Sequence, residues 1–144
     1  MRETFKKALI FTLTWEGYKS EDPDDIGGRT IFGISERSHP EEVAKMWDMP
    51  RIQAMDIAGK IYLEKYWIPV GCDDIEYSMD IIAFDTAVNQ GVAVAKRFLK
   101  EATSPEDYLF KRIARYCDVS HPKYLKGLIN RIIALYKTIK RSNI

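Results

Sequence analysis

An apolar stripe at helical spacing begins near the N-terminus and ends abruptly at Glu16. Its members would share one face of a helix: Phe5, Ala8 or Leu9, Thr12 or Leu13, and Glu16. Gly17 comes next, and glycine often follows the last helical turn because it adopts positive φ without a Cβ clash. The sequence therefore predicts a first helix that ends at Glu16, with this carboxyl on the same face as the core residues.

Glu16 in this position is a candidate general acid. The C-terminus of a helix carries partial negative charge, and the neighbouring Trp15 provides apolar surroundings. Both effects disfavour the ionised carboxylate. A carboxyl that keeps its proton near neutral pH can donate it to a glycosidic oxygen. The alternative is a solvated glutamate at a helix end.

The segment after this helix is dense in Asp, Pro and Gly, which is typical of a tight turn. The run Thr30-Ile31-Phe32-Gly33-Ile34 then predicts a small strand or an extended turn. An inverting glycosidase needs an acid on one side of the scissile bond and a base-activated water on the other. We therefore predict Asp25 as the base or positioning group, and Thr30 as a hydroxyl that helps to hold the water. The alternative is an acidic surface turn.

The remaining sequence predicts one mainly α domain over residues 1–144, with residues 1–90 carrying the catalytic signature and 91–144 forming C-terminal helices. We expect about six to seven helices and a small extended or hairpin element after the first. Ser38, Ser78 and Ser104 are the predicted N-caps. Six further helices are predicted after the one that ends at Glu16. They cover Ser38 to about Trp47, Pro50 to Tyr66, 78–88, Val92 to about Ala102, Ser104 to about Tyr116, and Ser120 onward.

Charge and hydropathy exclude several classes of protein. Lys and Arg number 22 against 21 Asp and Glu, so the chain lacks the basic excess of a nucleic-acid-binding protein. No apolar run is long enough to cross a membrane, and the short N-terminal one lacks a small-residue cleavage site. We therefore expect a protein made in the cytoplasm without a cleavable signal peptide, and no stable membrane insertion.

Cys72, Cys117, His39 and His121 show no metal-ligand spacing, so we predict no metal site and no cofactor. Two lone thiols fit a reducing compartment, and a long-range disulfide between them stays open.

Two further pairs are candidates for substrate binding. Tyr66 and Trp67 close a predicted helix, where aromatic rings can stack on sugar faces or belong to the core. Asp85 and Asn89 are four positions apart on one helix face, where they can bond each other or line a groove. The alternative for Asp85 and Asn89 is that they cap and orient the turn Asn89-Gln90-Gly91.

The run E-G-x₇-D-x-G-G-x-T-x-x-G-I resembles the N-terminal signature of a family of phage and prophage N-acetylmuramidases in the lysozyme-like superfamily. Some bacterial members have been called secretion activator proteins. The run from Phe84 to Gly91 is similar to a second family motif, and the Tyr66-Trp67 pair after Ile61-Tyr62 is typical of the family. Matching positions in the first run are Glu16, Gly17, Asp25, Gly27, Gly28, Thr30, Gly33 and Ile34.

This resemblance implies a lysozyme-like domain that hydrolyses the β-1,4 bond between N-acetylmuramic acid and N-acetylglucosamine in peptidoglycan. Glu16 would be the catalytic acid, with Asp25 and Thr30 in the site. The partner would be the glycan strand, and an endolysin-like enzyme of this kind would need a holin or similar route to the wall. We expect a monomer. The alternatives are a lytic transglycosylase and a non-catalytic wall-binding or secretion-regulating protein.

The chain departs from the family pattern in three places. Tyr18 stands where a second glycine is usual, and Gly127-Leu128 stands where a glycine-tryptophan pair is common. The glycine-proline-threonine element linked to wall binding is missing near Lys100 to Pro105.

Overall fold

The computed structural model describes residues 3–24, 26 and 28–141. Within them lie seven α-helices of eight residues or more and one three-stranded antiparallel sheet after the first helix, which confirms the predicted mainly α class. The chain divides into two compact units, residues 1–65 and residues 66–144. In this described part, no helix is long and apolar enough to span a bilayer. The single domain over residues 1–144 stays a prediction.

The first unit is built on helices α1, α2 and α3. The predicted end of α1 at Glu16 is confirmed, and its buried face is the predicted stripe. Helix α3 can approach α1 closely because Gly59 has no side chain; a Cβ there would lie 3.0 Å from Leu9 Cδ2. The bounds are Glu3–Glu16 for α1, Pro40–Trp47 for α2 and Arg51–Tyr62 for α3.

A small sheet follows α1, with strands β1 (Lys19–Ser20), β2 (Thr30–Ile31) and β3 (Ile34–Ser35) in the order β1-β2-β3. The two-residue link between β2 and β3 is Phe32-Gly33, with φ of 51° and 75°. Positive φ at both central residues is the signature of a type I′ hairpin turn. The predicted extended element is therefore a tight hairpin.

The second unit is a helical cluster around α5, whose residues from Asp80 to Ala87 are all buried. A π-helical segment, Leu63–Trp67, leads into it along the chain, and a 3₁₀ turn spans Cys72–Asp74. Its α-helices are α4 (Ile68–Val70), α5 (Met79–Gln90), α6 (Val92–Glu101), α7 (Pro105–Val119) and α8 (Pro122–Arg141).

The predicted caps hold at only one of three positions. The Ser104 hydroxyl accepts a hydrogen bond from Asp107 N–H at 3.0 Å, as predicted for the start of α7. Ser38 was predicted to cap α2, which is wrong: His39 is the N-cap, and the Ser38 hydroxyl accepts from Ser35 instead. Ser78 occupies the N-cap of α5 but makes no side-chain capping bond.

The chain stays helical beyond the predicted end at Tyr66. The π-helical segment runs directly into α4, and Pro69 lies in the first turn of α4, where a missing N–H costs little. Gly71 ends this stretch with φ of 79°.

Candidate active site

Glu16 lies at the end of α1 with its side chain partly exposed. Gly17 ends the helix at φ of 83° and donates its N–H to Leu13 O at 3.2 Å. The Glu16 side chain packs against the β2–β3 turn. A Cβ at Gly33 would lie 3.0 Å from Glu16 Oε2 and 3.1 Å from Glu16 Cβ. The hairpin therefore touches the predicted catalytic carboxyl at a residue with no side chain.

Tyr62 brings a phenol to the same place. Its hydroxyl oxygen would also lie 3.0 Å from a Cβ at Gly33, so the phenol and the Glu16 carboxyl flank one point of the turn. Tyr62 is 3% exposed and donates its hydroxyl to Phe32 O at 2.6 Å. A buried phenol of α3 thus anchors the turn against which the carboxyl rests.

Phe32 is held in a conformation that a bulky residue rarely adopts. Its φ of 51° lies in the left-handed region, which disfavours side chains with a Cβ. Three contacts hold it there: Phe32 N–H donates to Tyr18 O at 2.8 Å, its carbonyl accepts from Tyr62, and its ring centroid lies 5.0 Å from that of Tyr18. Backbone strain sustained by surrounding contacts is common beside functional groups.

Thr30 lies in the middle strand of the sheet. It pairs with Ser20 on β1 and with Ser35 on β3, so three hydroxyl side chains stand in a row on one sheet face. Ile31 and Ile34 point to the opposite, buried face. Thr30 is partly exposed, as a residue that positions a water would need to be.

Asp25 lies outside the described residues. On its N-terminal side, Asp24 N–H donates to Asp22 Oδ1 at 2.9 Å.

Arg29 and Glu36 flank the two strands of the hairpin. Arg29 donates its backbone N–H and Nε to Glu36 Oε2 at 3.1 and 3.2 Å, and its Nη2 to Glu36 Oε1 at 3.1 Å. These bonds lower the pKa of Glu36 and close the open end of the hairpin.

The predicted aromatic pair is divided between two environments. Trp67 is 1% exposed, its Nε1 donates to Asp73 Oδ1 at 3.0 Å, and its ring meets Phe84 edge-on at 5.6 Å. Tyr66 is partly exposed. Of the two alternatives for Trp67, its burial favours the core.

Asp85 and Asn89 belong to one buried hydrogen-bond cluster in the second unit. Asp85 has no exposed surface, and it accepts bonds from Arg112 Nη1 at 3.0 Å and from Arg131 Nε and Nη2 at 3.0 and 2.7 Å. Arg112 also donates to the Tyr116 hydroxyl at 2.8 Å, and that hydroxyl donates to Asn89 Oδ1. The two residues are therefore linked through other side chains. Asn89 borders a surface depression of about 330 Å³, whereas Asp85 has no surface through which to touch a ligand.

In the described residues, no group of three or more His, Cys, Asp or Glu side chains could hold a metal ion. Both cysteines are free thiols, Cys72 buried and Cys117 exposed. Burial raises the pKa of Cys72 to about 12, so this thiol is not a nucleophile near neutral pH.

Sequence reasoning missed that Gly33 and Tyr62 lie close to Glu16. Gly33 belongs to the first motif and Tyr62 precedes the aromatic pair, but the sequence alone assigns neither residue to the site. The available signal was Phe32-Gly33 in the middle of the β-type run over residues 30–34, because glycine at the second position of a two-residue link favours a type I′ turn.

Comparison with known proteins yields two matches. A family model described as glycosyl hydrolase 108 matches residues 9–91, which include Glu16, Gly33 and Tyr62. Among solved structures, SagA from Brucella abortus is similar in fold, with 23% sequence identity, a TM-score of 0.71, and coverage of 96% of this chain and 94% of that chain. No curated protein matches the chain.

Proposed function

Because the chain belongs to the glycosyl hydrolase 108 family of phage-type, lysozyme-like N-acetylmuramidases, we propose that it hydrolyses the β-1,4 bond between N-acetylmuramic acid and N-acetylglucosamine in peptidoglycan. One observation carries this proposal: the Glu16 carboxyl rests on the hairpin turn beside the Tyr62 phenol, at the end of α1. A carboxyl that packs against the turn can hold one orientation toward a scissile bond, which is what general acid catalysis needs.

The proposed reaction balances without a cofactor. Protonated Glu16 donates its proton to the glycosidic oxygen as the bond to the anomeric carbon breaks. A water molecule, held by Asp25 and Thr30, attacks that carbon, and Asp25 accepts the proton that the water loses. The products are a new hydroxyl on N-acetylglucosamine and a new reducing end on N-acetylmuramic acid. Proton exchange with solvent then restores both carboxyl groups.

The placement of Thr30 supports its part in this proposal. Its hydroxyl stands beside that of Ser20 on one sheet face, and two such hydroxyls offer both donors and acceptors to a bound water. Tyr66 and Asn89 are retained as proposed substrate contacts, because Tyr66 is partly exposed and Asn89 borders a depression. Asp85 and Trp67 are both buried, so we propose that they hold neighbouring side chains in place and do not touch the substrate. The holin-dependent route and the monomeric state stay predictions.

The decisive experiment is mass analysis of the soluble products from purified peptidoglycan. We expect sugars with a new reducing end from the wild-type chain, and a loss of about 100-fold or more for Glu16→Gln. Glu41→Gln makes the same change at an exposed carboxyl of the same unit and is expected to keep full turnover. Anhydro sugars would identify a lytic transglycosylase instead. Wall binding without turnover by the wild-type chain would identify a non-catalytic protein.

The same assay tests Asp25 against its neighbour. We expect Asp25→Ala to reduce turnover much more than stability, since a capping Asp contributes only about 1 kcal/mol. Asp24→Ala makes the same change at the preceding position of the predicted turn and is expected to leave turnover unaltered. A melting temperature that falls in step with activity for Asp25→Ala would assign Asp25 a structural role.

A further inference from the structure

Five side chains of the first unit alternate as cation and aromatic ring, and together they form the cation–aromatic row: Arg51, Tyr18, Lys19, Trp47 and Arg29. Lys19 Nζ lies 5.4 Å from the Tyr18 ring centroid and 5.1 Å from that of Trp47. The guanidinium carbon of Arg51 lies 4.9 Å from the Tyr18 centroid, and that of Arg29 lies 4.8 Å from the Trp47 centroid. All four distances are within the range of cation–π attraction, about 6 Å. Two rings thus hold three cations side by side.

Two of the three cations are available to a ligand. Arg29 is occupied by Glu36, and Glu21 and Asp48 also act on its charge through space. Lys19 and Arg51 are exposed, and neither forms an ion pair with a carboxylate of the described residues. Their charged groups lie against ring faces, so their N–H groups can still donate hydrogen bonds to a ligand. Charge-assisted bonds from such donors suit a carboxylate.

The row begins beside the candidate active site. Tyr18 is the second residue after Glu16, and its ring contacts Phe32 with centroids 5.0 Å apart. Phe32 immediately precedes Gly33, against which the Glu16 carboxyl packs. The row therefore adjoins the hairpin turn against which the Glu16 carboxyl packs.

We propose that the cation–aromatic row binds the carboxylates of the stem peptides that peptidoglycan carries on its muramic acid residues. This inference rests on the proposed function, since it assigns the row to the same substrate. A glycan strand with amide-linked lactyl groups has no net charge of its own, so its stem peptides supply the anions near the scissile bond. Lys19 offers a compact ammonium, and Arg51 offers a planar fork that matches a carboxylate. The row therefore distinguishes peptide-bearing glycan from a neutral sugar polymer.

The test measures binding to insoluble peptidoglycan by co-sedimentation, with the whole chain carrying Glu16→Gln so that the substrate stays intact. One portion of the peptidoglycan is native. In the other, the free carboxylates are converted to amides with a carbodiimide and ammonium, which removes their charge and keeps the polymer. In this background, we expect Lys19→Gln with Arg51→Gln to raise the Kd for native peptidoglycan about five- to tenfold at low salt. The difference is expected to shrink as salt is added.

The matched control is Arg97→Gln with Lys123→Gln in the second unit. Arg97 lies 5.2 Å from the Phe98 ring centroid and Lys123 lies 4.9 Å from that of Tyr124, so the control removes the same charges from the same kind of contact. We expect it to bind native peptidoglycan as the background chain does. On amidated peptidoglycan, the background chain and the row variant are expected to bind equally.

Two outcomes would overturn the inference. One is a row variant that binds native peptidoglycan no worse than the control does. The other is an equal loss of affinity on native and amidated peptidoglycan, which would mean that the row contacts uncharged parts of the polymer. Neither outcome bears on turnover, so failure of the hydrolase proposal is recognised separately in the product assay.

Discussion

Gly33 is the residue on which the geometry of the candidate site depends most directly. Any side chain at this position would meet the Glu16 carboxyl and the Tyr62 hydroxyl, each 3.0 Å from the added Cβ. Two requirements therefore coincide at one glycine: a positive φ for the hairpin turn, and space for the Glu16 carboxyl.

We predict that Gly33→Ala reduces turnover by about 100-fold, because a displacement of the acid by about 1 Å is enough for such a loss. Gly71→Ala is the matched control. Gly71 has a similar φ of 79°, but nothing lies within 4 Å of its added Cβ. Both variants are expected to lose about 1–2 kcal/mol from left-handed strain.

Kinetics and thermal melting of both variants decide this prediction. Equal turnover in Gly33→Ala and Gly71→Ala would mean that the carboxyl accommodates the added methyl, and that contact with Gly33 does not position Glu16.

At the scale of elements, the β2–β3 hairpin is closed at both ends by side chains. Tyr62 anchors the turn, and Arg29 with Glu36 joins the two strands at the open end, where Glu36 N–H also donates to Arg29 O at 2.8 Å. Strands of two residues have few ladder bonds, so these side chains supply much of what keeps the hairpin in place.

The pH dependence of stability tests the Arg29–Glu36 clamp. Hydrogen bonds from Arg29 lower the pKa of Glu36 from its ordinary value of 4.5. A lowered pKa in the folded state stabilises the protein above the ordinary value, and this stabilisation is lost as the pH falls through the lowered one. We predict that Glu36→Gln melts at a lower temperature than the wild type at neutral pH, and that the gap closes in acid.

Glu101→Gln, at an exposed carboxyl at the end of α6, is the control for this change. A gap between wild type and Glu36→Gln that stays constant from neutral to acid pH would show that the charge of Glu36 does not close the hairpin.

At the scale of the whole molecule, the chain consists of two compact units with different polar chemistry. The first contains Glu16 and the hairpin. The second is built around α5, where the buried Asp85 binds Arg112 and Arg131. The family match over residues 9–91 includes residues of both units, so the sequence similarity to the family extends beyond the unit that contains Glu16.

Two buried aspartates of α5 have opposite electrostatic surroundings. Asp85 is bound by two guanidinium groups. Asp80 accepts a bond from Ile81 N–H, and burial raises its pKa. We predict that Asp85→Asn loses about 3–5 kcal/mol of stability, because two buried cations lose their partner. Asp80→Asn is expected to cost far less, because an amide keeps the backbone bond.

The pH dependence of the two variants adds a second criterion. With the pKa of Asp80 raised in the folded state, its ionisation weakens the fold as the pH rises through that value. We expect Asp80→Asn to abolish this weakening in denaturant titrations. Comparable losses in Asp85→Asn and Asp80→Asn at neutral pH would contradict the assignment of Asp85 as the anchor of two buried charges.

Local sequence was sufficient for the helix that ends at Glu16, for the glycine that terminates it, and for most helix bounds. The reason is that periodicity, glycine and proline act over a few residues. The sequence also predicted a small extended or hairpin element after this helix, because its strands and turn are adjacent in the chain. Prediction of caps was less successful at Ser38, whose hydroxyl has a competing partner in Ser35.

Tertiary structure alone decided the partners of the buried polar groups. Asp85 meets Arg112 and Arg131 across 27 and 46 positions, and Tyr62 reaches Phe32 across 30. No short-range pattern encodes such pairs, because they follow from which helix faces pack together. For the same reason the sequence predicted that the first helix ends at Glu16, while only the folded chain brought Gly33 and Tyr62 close to this residue.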